Sequence, residues 1–138
     1  MLKSNRASTF LVVAGAILLF VGTVLHTLAA YPRISAAITA STLRGPLPGA
    51  LRAVFLLAGW DWFAIGVLAL IALRATYWRR ILLVFCAGTI CGETLITLAL
   101  IGPFAGNEII GSAAFLILMG AILTRAKVPL VETRQHLP

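Results

Sequence analysis

Two carboxylates and a histidine stand inside apolar stretches of this 138-residue chain, where polar groups are costly to place and need a reason. Asp61 lies between Trp60 and Trp62. Glu93 falls on one helical face with Cys86, Thr89 and Thr97, the successive steps of three or four residues that bring side chains into a stripe. His26 follows Gly22 and Thr23 near the end of an apolar run, and Glu108 opens the last such run. A carboxyl group beside a histidine, away from bulk water, can hold and release a proton near neutral pH. That suits acid/base catalysis on an apolar substrate, such as isomerisation or epoxide opening, and it also suits a proton-coupled carrier. The candidate catalytic residues are therefore Asp61, Glu93 and His26. The candidate ligand-binding residues are Trp60, Trp62, Thr89, Thr97 and Glu108.

Each candidate also has a plainer reading. Glu93 can pair with His26 or Asp61 merely to fix helix register, and such interhelical polar bonds average only about 0.6 kcal/mol in membranes. Asp61 can mark where a helix meets water, and His26 can be an interfacial histidine. Glu108 at a helix N-terminus is favoured by the helix dipole without any further role. No metal site is expected, because no pair of ligand-type residues has helical ligand spacing. The second histidine, His136, lies in the tail, so a bis-histidine haem within the chain is excluded. No cofactor is expected. Cys86 and Cys91 sit about 140° apart on a helix, too far for a disulfide without breaking it. They read as small packing residues.

Composition determines the elements that carry these groups. The chain is 61% hydrophobic and 11% charged, with a mean hydropathy of +1.05. Soluble domains run nearer about 45–50% apolar and about 25% charged. A soluble enzyme, a disordered tail and a disulfide scaffold are excluded, which leaves an integral membrane protein. The net charge of +7 would suggest nucleic acid in a soluble protein. Here the basic residues cluster at the ends of apolar runs, so topology explains them and nucleic acid is not an expected partner.

A transmembrane helix needs about 20 residues, and four apolar runs of that order are present. The expected fold is an all-α integral membrane protein: a single membrane domain, an antiparallel bundle of four transmembrane helices over residues 8–30, 50–75, 80–101 and 107–124. Tyr31 and Pro32 should end the first, and the run Gly45-Pro46-Leu47-Pro48-Gly49 should act as a breaker before the second. Between these two points Ile34, Ala37, Ile38 and Ser41 recur at helical spacing, which predicts a short interfacial helix within the segment 31–49. Residues 125–138 form a basic cytoplasmic tail. The first run is long for the apolar part of a secretion signal, so it is expected to stay as a span.

Orientation is set by the basic residues. Lys3, Arg6, Arg74, Arg79, Arg80, Arg125, Lys127 and Arg134 fall on one side, against Arg33, Arg44 and Arg52 on the other. The positive-inside rule places both termini in the cytoplasm, and the expected location is a bacterial inner membrane. His26, Asp61, Glu93 and Glu108 then all lie between mid-membrane and the outer surface, and the inner half holds no comparable group. Gly59 and Gly66 suggest a close-packed seam, and Gly88 and Gly92 form a small-xxx-small pair.

Four helices in fewer than 140 residues resembles the outline of small multidrug-resistance transporters. Those carry their essential glutamate early in the first helix, whereas here the first helix has no acid and Glu93 falls in the third. The expected role is a lipophilic-ligand-binding or accessory subunit with a polar intramembrane site in its outer half. The alternatives are a membrane-embedded acid/base enzyme of isomerase or hydrolase type and a proton-coupled small carrier. Expected partners are the lipid bilayer, a lipophilic small molecule, and a larger membrane complex or a second copy of the chain.

Overall fold

The computed structural model describes residues 2–124, with side chains from Arg6 onward. The basic tail expected at 125–138 and the side chain of Lys3 lie outside the described residues. Within them every regular element is helical: α1 (Leu2–Val24), a π-helical turn (Leu25–Ala30), α2 (Tyr31–Ala40), α3 (Leu47–Ala72), α4 (Arg79–Ile101) and α5 (Ala105–Leu123). Four stretches are long and apolar enough to cross a membrane: Arg6–Ala40, Leu47–Ala72, Arg79–Ile101 and Ala105–Leu123.

The first stretch differs from expectation, because Tyr31 and Pro32 do not end it. A proline inside a helix lacks the N–H for the usual bond and its ring crowds the carbonyl four residues back. Here that carbonyl belongs to Leu28, inside the widened turn. The Tyr31 N–H reaches back five residues to the His26 carbonyl, and the wider turn takes up the proline without a break. The helix therefore runs on to Ala40. It stops at Ser41, whose backbone is extended. Gly45 and Gly102 carry the positive φ values of 66° and 92° that the two proline-linked turns require, a conformation open to glycine at little cost.

α1 packs on α5 and α3, and α4 packs on α5 and α3, which closes a four-sided arrangement. The α1–α5 contact is the most extensive and the α3–α4 contact the least. Val12, Leu19, Leu83, Ile90, Ile110 and Ile117 are fully or almost fully buried. Around them the buried set is rich in alanine: Ala16, Ala69, Ala72, Ala87, Ala113 and Ala121. Small residues let helix backbones approach closely, which is how helices gain contact where no hydrophobic driving force separates interior from surroundings. The closest approach is between α1 and α5. A β-carbon on Gly15 would fall 2.7 Å from Ile117 Cγ1 and 2.9 Å from the Ala113 carbonyl oxygen, and one on Gly120 would fall 2.5 Å from Val12 Cγ2. Gly59 and Gly66 face α1 and its π turn, against His26 and Phe20. Gly88 and Gly92 do not close a seam, since nothing lies within 4 Å of a β-carbon at either. Large apolar side chains such as Phe10, Phe85, Leu100 and Phe115 point outward.

Two glycine substitutions separate these roles. Gly15→Ala should weaken the fold by about 1–3 kcal/mol, because the obstructing atoms include backbone and α1 must part from α5. Gly88→Ala should be neutral or stabilising by up to about 1 kcal/mol, through helix propensity alone. Reversible unfolding in mixed micelles would check this, and the opposite ranking would contradict the close approach described.

Candidate functional site

Trp62 is the centre of the polar arrangement. It lies one turn below Gly59 on α3 and is buried. Its indole N–H donates to Glu93 Oε2 on α4 at 2.8 Å. The edge of its ring meets His26, with centroids 4.7 Å apart and planes at 65°. His26 projects from the π turn towards α3. Its ring stacks on Phe55 at 3.8 Å and 13°, and its Nε2 lies 2.7 Å from the Phe55 carbonyl oxygen. The missing side chain at Gly59 makes room, since a β-carbon there would fall 3.1 Å from His26 Cδ2. Thr23 Oγ1 adds a bond to the Gly59 carbonyl at 3.1 Å. His26, Trp62 and Glu93 thus form a continuous line of contacts from the π turn through α3 to α4.

Two recesses flank Trp62. One, of about 280 Å³, lies between α3 and α4. Its walls include the apolar Val54, Leu57, Ile96 and Ile110, and its polar groups include Asp61, Glu93 and Thr97. Val54, Leu57 and Ile96 are exposed, so this recess sits on the side of the bundle. Asp61 is exposed and Glu93 half-buried. Among the described residues that line this recess, none is basic. The other recess, of about 200 Å³, lies at the end of the bundle and is lined by Gly22, Leu25, His26, Ala30, Phe104 and Ile109, among others, together with Trp62.

Beyond the acids, Thr97 Oγ1 sits 2.8 Å from both Asn107 Oδ1 and the Glu93 carbonyl oxygen. Asn107 is buried, and its Nδ2 donates to the Gly102 carbonyl at 3.1 Å. That pair holds the α4–α5 turn over the end of the first recess. Asn107 is not a candidate on sequence grounds. Its position at the start of a helix reads as a local turn residue, and only the packing shows it bonded across to α4.

The structure brings Asp61, Glu93, Trp62 and Thr97 to one recess and His26 to the other side of Trp62. Trp60 points outward, 63% exposed, against Phe63. Thr89 donates to the Phe85 carbonyl of its own helix. Glu108 is exposed in the first turn of α5. None of these three is among the residues lining either recess. Among the described residues no group of three or more His, Cys, Asp or Glu is placed to hold a metal ion.

The far end of the bundle is also polar, contrary to expectation. Arg79, which the sequence places in a loop, is buried in the first turn of α4. Its Nη2 donates to Ser8 Oγ at 3.1 Å and to Thr9 Oγ1 at 3.2 Å. Ser8 Oγ donates to the Gly120 carbonyl at 2.7 Å and lies 2.9 Å from Thr124 Oγ1. This cluster joins α1, α4 and the end of α5. Its residues are far apart in sequence, and serine and threonine near helix ends carry no signal that they converge.

Compared with protein-family models, curated proteins and solved structures, the chain shows no match.

Two substitutions grade these bonds. Trp62→Phe keeps an aromatic ring but removes the donor to Glu93 and part of the buried bulk, and should cost about 1–3 kcal/mol. Asn107→Leu leaves the Gly102 carbonyl without its partner inside the turn and should cost about 1–3 kcal/mol. Unfolding free energies in mixed micelles would check both; a loss under about 0.5 kcal/mol at either would mean that its bond and packing do not hold the fold.

Proposed function

We propose that this chain is a small polytopic membrane protein that binds a lipophilic molecule by its polar head at Asp61 and Glu93. In this reading the four long helices cross the bilayer in alternating directions, with both termini cytoplasmic. The stretch Arg6–Ala40 has 35 residues, against about 20 for a span, so α2 stands at or beyond the outer boundary. Arg52 holds it to α3 through Thr39 Oγ1, at 2.6 Å, and the Ser35 carbonyl.

The observation that carries the proposal is that two carboxylates from two helices line one recess whose other walls are mostly apolar. Like charges in such surroundings repel, and a buried or half-buried charge is stabilised only by a partner. With two acids and no basic residue among the described residues lining the recess, the head that suits the site is a protonated amine. The tail would enter between Val54, Leu57 and Ile96, on the side of the bundle that lipid reaches, and run inward against Trp62. A second reading, an acid/base enzyme on a lipophilic substrate, draws on a different observation: the two acids have unlike surroundings. Glu93 is held by the Trp62 donor, whereas Asp61 is exposed, and unlike surroundings are what separates an acid from a base.

Thermal unfolding of the protein in lipid nanodiscs would test the binding reading with dodecylamine, dodecanol and dodecanoic acid. The amine should stabilise in proportion to the logarithm of its concentration, by about 2.7 kcal/mol at a hundred times its Kd. Asp61→Asn and Glu93→Gln should each weaken it by an order of magnitude or more, since each removes a charge from the head site. Equal responses to amine and acid, or variants that bind the amine as well as the parent does, would overturn the proposal.

A further inference from the structure

The two recesses share one wall. Among the described residues Trp62 is the only one that lines both the recess of about 280 Å³ holding Asp61 and Glu93 and the recess of about 200 Å³ beside His26. Every other lining residue belongs to one side or the other. On the acid side the indole N–H is bound to Glu93 at 2.8 Å. On the opposite side the ring edge rests on His26. Gly22 leaves room behind it: a β-carbon there would lie 3.6 Å from Trp62 Cε3, with Ile109 and Ile110 at 3.7 Å. The partition is therefore one side chain thick, and a single hydrogen bond sets its orientation towards α4.

We propose that Trp62 is the specificity-determining residue of the lipophilic site: it divides one elongated cavity into two and so limits the length of tail that the acid recess admits. This rests on the ligand reading above and adds the residue that sets its selectivity. A tail seated with its head at Asp61 and Glu93 meets the indole face. With the indole removed, the same tail continues past Gly22 and Leu25 into the recess at the end of the bundle. The walls there are almost wholly apolar, His26 being the exception. Each further methylene would then pack against these walls, so affinity, counted from amine already dissolved in the bilayer, should keep rising with tail length. With the indole in place, added methylenes stay outside the cavity and add little.

The consequence for access does not depend on any ligand, so it is tested first. A cysteine replaces Ala58, which lines the acid recess, in a Cys91→Ala background; the other cysteine, Cys86, is buried. The protein is held in nanodiscs, with both faces open to a charged methanethiosulfonate reagent. Trp62→Ala should raise the labelling rate at position 58 at least tenfold, because water then reaches the acid recess from the end of the bundle. Trp62→Phe should stay within about threefold of the parent. Should Trp62→Ala fail to assemble, Trp62→Leu provides the same opening with a larger apolar side chain. Equal rates in the parent and the shortened variants would overturn the partition.

The second measurement is a series of primary alkylamines from eight to sixteen carbons. The parent should reach a plateau in affinity, and the shortened variant should keep gaining beyond it. A plateau at the same length in both would overturn the role in selectivity. No amine binding in either, with the labelling difference intact, would remove the ligand reading and leave the divided cavity standing.

Discussion

The hydrogen bond from Trp62 to Glu93 joins the two neighbouring helices of the bundle with the least extensive contact. α1 and α5 need no such bond, because glycine and alanine let their backbones approach closely along their length. Between α3 and α4 the surfaces diverge instead, and the gap is the recess that holds the acids. In the membrane reading proposed above, a bundle of apolar helices gains little from burying apolar surface, because its surroundings are themselves apolar. Close backbone contact on one side and directed polar bonds on the other are then the two means of fixing the arrangement. Trp62 supplies the second, and its ring also provides the wall on which His26 rests. The positions of Glu93 and His26 are thus tied to one side chain.

The same reasoning accounts for the distribution of polar groups along the bundle. At one end Ser8 and Thr124 donate to the Gly120 carbonyl, and Arg79 donates to Ser8. At the other, Asn107 donates to the Gly102 carbonyl and accepts from Thr97. Both clusters close a point where a helix ends and its last carbonyls would otherwise lack partners, a cost that rises away from water. Their hydroxyl and amide groups meet their needs within the fold. Asp61 and Glu93 differ in kind: among the described residues they line one mostly apolar recess with no basic side chain, although Glu93 accepts from Trp62. That contrast, between polar groups that pair within the fold and two acids with no cation on their recess, is what distinguishes a structural cluster from a candidate site.

The π turn links the site to the first helix. Without it, Pro32 would end or sharply kink α1, and His26 would sit on a different face relative to α3. The widened turn lets one helix run on to Ala40 while presenting His26 to Phe55 and Trp62. Arg52 then ties the extension to α3.

Much was legible in the sequence by itself. Composition and run length determined an all-helical chain with four long apolar helices, because backbone groups without water must be satisfied within each segment. Helical spacing placed Glu93 and Thr97 on one face, and the pair Gly59 and Gly66 marked a real close approach. Other features were decided only by the tertiary structure. Gly88 and Gly92 have the spacing of a packing seam yet face outward, since spacing states which residues share a face but not which way the face turns. Trp60 and Trp62 are two residues apart, and about 200° of helical rotation sends one outward and the other into the bundle. Arg79 reads as a loop residue until Ser8 and Thr124 are seen beside it. The physical reason is the same in each case: periodicity fixes positions around one helix axis, whereas a site is made by the relative rotation of several, and that is set by the packing of small residues on neighbouring helices.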